Sequence, residues 1–212
     1  MKTIGSIGLG AMGGSYAKFL IEDNYSVYGV DPDTENADIF ISLGGKLLNN
    51  ISDLIKKSDV IILSLPTVPI FKDVINEIEI NGKLNKSKIL IDMNTISLDD
   101  KIETKNKLEK LNIYMVDAPV SGTGAQAKVK DIVVMSSGSK SIVDECDGIF
   151  RSFSKQNIYV GEFGNGIKFK ILANLLVTVH NTVTAEALLL GQKAGLEEKM
   201  IYEVLNAGAA TS

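Results

Sequence analysis

Two groups of residues in this sequence have the types and the spacing to do chemistry. The first is Gly164-Asn165-Gly166-Ile167-Lys168-Phe169-Lys170, followed by Asn174. Lys170 and Asn174 are four residues apart, so a helix sets them one turn apart on one face. That pairs a proton donor or acceptor with an amide that can hold a neighbouring oxygen. The glycines ahead of them are expected to clear the helix start so that a ligand can approach closely. Lys168 points elsewhere on the same helix and receives no role. The second group is Gly8-Leu9-Gly10-Ala11-Met12-Gly13, with Asp31 at the end of the next strand pattern. It follows an apolar strand and opens a helix, the context in which G-x-G-x-x-G reads as a dinucleotide fingerprint. Gly8 permits the tight turn, Gly10 lets backbone approach a pyrophosphate, and Gly13 lets helix close on sheet.

The same reading extends to the cofactor and to a substrate loop. A carboxylate at Asp31 accepts from ribose hydroxyls and repels a 2′-phosphate. The sequence has a single arginine, Arg151, far from that strand. NAD is therefore expected ahead of NADP. Leu65-Pro66 and Asn94-Thr95 sit at the carboxyl ends of two further strands, where open α/β sheets bind ligands. They either line the nicotinamide half or serve as ordinary turns. In Asp117-Ala118-Pro119-Val120-Ser121-Gly122-Thr123-Gly124, alternate glycines expose backbone N–H groups that can form an anion nest. Ser121, Gly122 and Thr123 are its candidate contacts to a small carboxylate substrate. A purely structural loop is an equal reading.

Positioning these groups takes a regular alternation. Strands are expected at 4–7, 25–30, 60–64, 89–93, 113–117, 132–135 and 158–160. Helices are expected at 12–22, 34–42, 51–57, 70–78, 97–111 and 141–153. Alternation of this kind gives an α/β doubly wound parallel sheet. Past Gly164 the strands cease. Residues 167–194 read as one helix about 40 Å long, and 197–206 as a second. The expected division is 1–163 for the dinucleotide-binding domain and 164–212 for the start of an all-α domain. The long helix is apolar around most of its circumference and must be covered. Either a second copy packs there, giving a homo-oligomer, or the chain continues.

Bulk properties exclude several classes. The 212 residues carry a net charge of −4 and are 45% hydrophobic, which gives no electrostatic footprint for nucleic acid. One cysteine and one histidine exclude a His/Cys metal cluster within a single chain. A lone cysteine fits a reducing, cytoplasmic compartment. Met1-Lys2-Thr3-Ile4 enters a strand pattern without an apolar signal segment. No uninterrupted apolar run is long enough to span a bilayer, so no membrane partner is expected. A hydrolase triad would need His180, which stands amid an apolar helix.

Four segments resemble the β-hydroxyacid dehydrogenase family, which includes 3-hydroxyisobutyrate dehydrogenase. They are Gly8 to Gly13, Asp92-Met93-Asn94-Thr95, Asp117 to Gly122, and Gly164-x-Gly166-x-x-x-Lys170 with Asn174. The resemblance implies a Rossmann domain, a long interdomain helix and an all-α domain. It implies an oxidoreductase passing hydride between NAD and a small 3-hydroxyacid, with Lys170 as catalytic lysine. It also implies substrate contacts from Ser121, Gly122 and Asn174, and a cofactor contact from Thr95. The family usually has Ser where this chain has Asn94, and a first asparagine where it has Ala173. Its members continue through further helices, so a truncated chain is expected. Two alternatives stand beside this: a non-catalytic, self-associating dinucleotide module, and an imine or semialdehyde reductase of the same fold.

Overall fold

A computed structural model describes residues 2–80 and 86–208. The last four residues of the expected all-α segment, 209–212, lie outside the described residues. The chain forms two compact units, Met1–Lys170 and Ile171–Ser212.

The first unit opens with β1 (Thr3–Ile7), α1 (Gly13–Glu22), β2 (Ser26–Val30), α2 (Thr34–Ser42), β3 (Lys46–Leu47), α3 (Ile51–Lys57) and β4 (Val60–Leu63). It continues with α4 (Val68–Ile80), β5 (Lys88–Asp92), α5 (Leu98–Glu109) and β6 (Ile113–Asp117). These strands make a parallel sheet in the order β3-β2-β1-β4-β5-β6. The edge strand β3 escapes the sequence pattern because two residues carry no periodicity. Helix starts follow local chemistry: Asp33, Asn50 and Ser97 cap α2, α3 and α5 by accepting the N–H three residues on, as N-cap side chains do.

Strand parity divides the core. Val60 and Ile62 of β4 pack in one apolar layer with Tyr16, Leu20, Phe150 and Phe153. Ile61 and Leu63 face the other way, onto Leu54, Phe71, Ile75 and Leu108. A strand buried on both faces reads as a continuous apolar run, and Val60-Ile61-Ile62-Leu63 is one. Each such side chain contributes about 1.5–3 kcal/mol of burial.

After β6 the alternation stops feeding that sheet. β7 (Val120–Ser121), β8 (Val133–Ser136) and β9 (Gln156–Tyr159) form a second, mixed sheet, with α6 (Gly124–Ala127) and α7 (Lys140–Phe153) between them. β7 pairs antiparallel with β8, and an Asp117–Ser137 bridge ties this sheet to the end of β6. The sequence reading of one sheet running to residue 160 is corrected here. Pro119 has no N–H for a ladder, and the chain turns back on itself beyond it.

α8 (Asn165–Lys193) begins in the first unit and runs into the second. The division falls at Lys170, seven residues past the expected 163, because Gly166 and Ile167 are buried in the first unit. In the second unit α8 is followed by α9 (Glu198–Ala207). The two meet where Gly191 leaves no room for a Cβ beside Ile201. Ile171, Leu172, Leu175, Leu176 and Val183 of α8 are exposed. By length and composition this 29-residue helix could cross a membrane. Asn174, His180, Asn181 and Glu186 interrupt its apolar run. A core helix passes the same test.

Candidate active site

The glycine turn is built by backbone. Gly8 sits at φ 89° and a Cβ there would lie 2.2 Å from the Ser64 carbonyl oxygen; one on Gly13 would lie 2.0 Å from that of Gly8. These two glycines are needed by the fold itself. Gly10 differs: the nearest atom to its absent Cβ is Asn36 Nδ2, at 4.0 Å. The space over Gly10 is open, and it adjoins the start of α1, which has neither a side-chain cap nor an acid in its first turn. A helix end with free N–H groups and open space suits a pyrophosphate. The residues present therefore fit a dinucleotide.

Asp31 follows β2 beside this turn. Its Oδ2 accepts the Leu9 N–H at 2.6 Å and its Oδ1 accepts the Asp33 N–H at 2.8 Å. So Asp31 holds the turn as well as facing the cavity. Leu9, a predicted cofactor contact, has its side chain buried in the core and its N–H bonded to Asp31. Gly8, Gly10, Ala11, Met12 and Asp31 line a cavity of about 620 Å³, with Asn36 and the Leu65-Pro66 turn on its walls. It lies outside the carboxyl ends of β1 and β4, where the strand order reverses. That switch point is the usual ligand position in such sheets.

A second cavity of about 280 Å³ shares Met12, Ser64, Leu65 and Pro66 with the first. Lys170 lines it, together with Tyr16, Asn94, Thr95, Val120 and Gly122. Lys170 is half-buried, and burial lowers its pKa below the ordinary lysine value. Asn174 follows one helical turn later on α8. Lys168 is exposed and donates to Asn165 Oδ1.

One sequence reading around this cavity needs correction. The glycines before Lys170 do not clear room for a ligand. A Cβ on Gly166 would meet Asp117 Oδ2, the Met135 carbonyl and Pro119, and one on Gly164 would meet Leu98. They let α8 dock on its own domain. Thr123 caps α6, its N–H donating to Gln126 Oε1 and its Oγ1 accepting the Gln126 N–H. Its polar groups are engaged, whereas Gly122 lines the cavity and Ser121 beside it is exposed.

Sequence reading missed the buried charges beneath the site. Lys101 is wholly buried, with its Nζ 2.5 Å from Asp92 Oδ2 and 2.9 Å from Asp117 Oδ1. Burial alone would depress its pKa, but the two carboxylates outweigh that and raise it. The only sequence signal was an acid ending each of two apolar strands, Ile89 to Asp92 and Ile113 to Asp117. Lys101 itself lies in a helix of mostly charged residues and reads as solvated. Cys146 is buried and its thiol is pushed up to about 12, so it is no nucleophile.

Residues 3–161 match the model of the NAD-binding domain of 6-phosphogluconate dehydrogenase, and residues 164–212 match that of the NAD-binding segment of NADP-dependent 3-hydroxyisobutyrate dehydrogenase. The chain belongs to the β-hydroxyacid dehydrogenase family. Its first unit is the NAD(P)-binding Rossmann domain of an oxidoreductase of that family. The chain is 30% identical to 2-(hydroxymethyl)glutarate dehydrogenase of Eubacterium barkeri, covering 99% of this chain and 70% of that one. It is 32% identical to mitochondrial 3-hydroxyisobutyrate dehydrogenase of Rattus norvegicus, covering 96% of this chain and 61% of that one. It therefore spans less than two thirds of the rat protein. The Mycobacterium tuberculosis 3-hydroxyisobutyrate dehydrogenase structure with L-serine superposes with a TM-score of 0.87 at 26% identity, covering 100% of this chain and 72% of that one. Among β-hydroxyacid dehydrogenases, then, the likeness extends along the whole of this chain.

Proposed function

We propose that the protein oxidises a small 3-hydroxyacid, or reduces the corresponding carbonyl acid, with NAD as partner and Lys170 as the general acid–base. One observation carries this reading. The half-buried Lys170 lines a cavity with Met12 of the glycine turn, Thr95 and Gly122. A dinucleotide on that turn and a small acid on the Gly122 loop would meet at one amine.

When bound, the nicotinamide supplies the hydride chemistry. The chain's own work is to bind, orient and move a proton. Gly10 and the start of α1 hold the pyrophosphate, and Asp31 the adenosine ribose. Thr95, Leu65 and Pro66 wall the nicotinamide side. Ser121 and Gly122 take the substrate carboxylate. Neutral Lys170 removes the hydroxyl proton during oxidation, and its protonated form returns one during reduction. Burial brings its pKa toward working pH, which favours both roles. The amide of Asn174, one turn along the helix, steadies the same oxygen. Asp31, with Asp33 beside it and Arg151 occupied by Asp147 on α7, supports NAD over NADP. The relative crystallised with L-serine, itself a 3-hydroxyacid, supports the substrate class. The exposed apolar residues of α8 support self-association through that helix.

The test is an NAD-versus-NADP screen over serine, 3-hydroxyisobutyrate, 3-hydroxypropionate and glycerate, run on the parent and on Lys170→Ala. Turnover that vanishes in the variant while NAD binding persists supports the reading. A dimer that binds NAD but turns over no short 3-hydroxyacid would favour a non-catalytic module.

A further inference from the structure

We propose that Lys101 is a positioning residue: its buried ammonium couples the nicotinamide-side wall of the cavity to the first turn of α8, and so sets where Lys170 stands. The inference rests on the acid–base reading of Lys170.

The coupling can be followed bond by bond. Asp92 and Asp117 stand opposite each other at the ends of the neighbouring strands β5 and β6. Two buried carboxylates so placed repel. Lys101 reaches from α5 and pairs with one oxygen of each. The remaining oxygens lead in opposite directions. Asp92 Oδ1 accepts both the N–H and the side-chain amide of Asn94, at 3.0 and 2.7 Å. Asn94 Oδ1 in turn accepts the Leu65 N–H at 2.6 Å. That branch holds the turns after β4 and β5, which line the cavity at Leu65, Pro66 and Thr95. On the other side, Asp117 Oδ2 accepts the Ile167 N–H and the Ser137 hydroxyl, each at 2.9 Å. Ser137 Oγ also accepts the Gly166 N–H at 3.0 Å. These are first-turn donors of α8, which no intrahelical carbonyl can satisfy. Lys170 is one turn further on.

One cation thus lies between the wall where the nicotinamide ring is proposed to rest and the helix start that carries the proposed acid–base group. Asp92 and Asp117 are the charges that bear on it. Ser137, Asn94 and the α8 N–H groups complete the surroundings of those two carboxylates. The carboxylates do not touch the cavity themselves, so the role is one of position and not of chemistry.

Lys101→Met keeps a stem of similar volume and removes the charge. The two carboxylates then face each other uncompensated, and one of them takes up a proton with a raised pKa. Expected is a fall in kcat of about a hundredfold, the loss that accompanies a misplacement near 1 Å, with little change in NAD affinity. The variant also gains a limb in its pH profile: activity falls as pH rises through the raised carboxylate pKa, because repulsion then returns. Hydrogen exchange at the Gly166, Ile167 and Leu65 amides quickens in the free protein. Adding Asp92→Asn removes the second negative charge. The new amide can donate to Asp117 Oδ1 while its oxygen keeps Asn94, so the double variant regains kcat and loses the added limb. Should Lys101→Met not fold, Asp92→Asn alone serves. An amide offers one acceptor oxygen where the carboxylate offered two, so Lys101 or Asn94 must release its bond, and exchange quickens at Leu65 or at Gly166 and Ile167. Parent-like kcat and parent-like protection of these amides would overturn the proposal. So would a fall in kcat with a flat pH profile and no rescue, which is the mark of packing alone. If Lys170→Ala retains turnover, the acid–base reading fails, and the exchange data still decide whether Lys101 couples the two segments.

Discussion

The two ends of the cavity are held in different ways. At the glycine turn, shape comes from backbone: Gly8 and Gly13 fit because a Cβ would strike a carbonyl oxygen. The contact that pins the turn, Asp31 to Leu9, spans 22 residues. At the start of α8, no local side chain caps Gly166 and Ile167. Their donors go to Ser137 and Asp117, 29 and 50 residues back, and Asp117 in turn pairs with Lys101. The first end is a near-local motif whose groups await a ligand. The second is a helix terminus whose groups are consumed by the protein. A surface that receives a cofactor needs open backbone, whereas a proton-handling amine needs a fixed mount. The glycines at the two ends share a residue type and little else.

Several substitutions test that contrast. The largest effect is expected from Lys170→Ala: steady-state turnover falls by roughly 10²- to 10⁴-fold, while the NAD dissociation constant, read by calorimetry, stays near the parent value. Equal loss of both would remove the distinction between the two ends. Next come paired glycine variants. Gly13→Ala costs about 1–3 kcal/mol in urea unfolding, as overpacking does, and cofactor affinity with it. Gly10→Ala leaves the unfolding midpoint unchanged and weakens only cofactor binding, since its Cβ enters space no protein atom uses. Asp31→Ala leaves the Leu9 N–H without its acceptor, for a loss of about 1–3 kcal/mol. The same variant narrows the NAD-over-NADP affinity ratio. A titration comes fourth. On the proposed acid–base reading Lys170 must be neutral to take the hydroxyl proton, so oxidation speeds up as pH rises through its pKa, which lies below the usual lysine value. Reduction needs the protonated amine and slows over the same interval. An oxidation rate that shows no rise at any pH below the ordinary lysine pKa would sink this assignment. Last, Lys168→Ala should change neither turnover nor stability by more than about 0.5 kcal/mol, as expected of an exposed residue.

Much of the first unit followed from periodicity. The runs at 60–63 and 113–117, the helix start at Ser97 and the glycine turn all obey rules that act over a few residues. What periodicity misread was pairing. Strands at 132–135 and 158–160 were expected, but only the folded chain puts them, at 133–136 and 156–159, in a separate sheet with an antiparallel partner. Thr123 carried a capping signature with Gln126 that its glycine-rich neighbours obscured.

From the order of its residues alone, this chain specified a parallel sheet, a turn able to receive a dinucleotide, and a lysine at the head of a long helix. Each of those depends on conformational preferences or apolar spacing within a short window. Which carboxylates face Lys101, why Gly166 must lack a side chain, and that Lys170 shares a cavity with Met12 were decided by tertiary structure. These relations join segments tens of residues apart, and a buried charge chooses its partners only after the chain has folded around it.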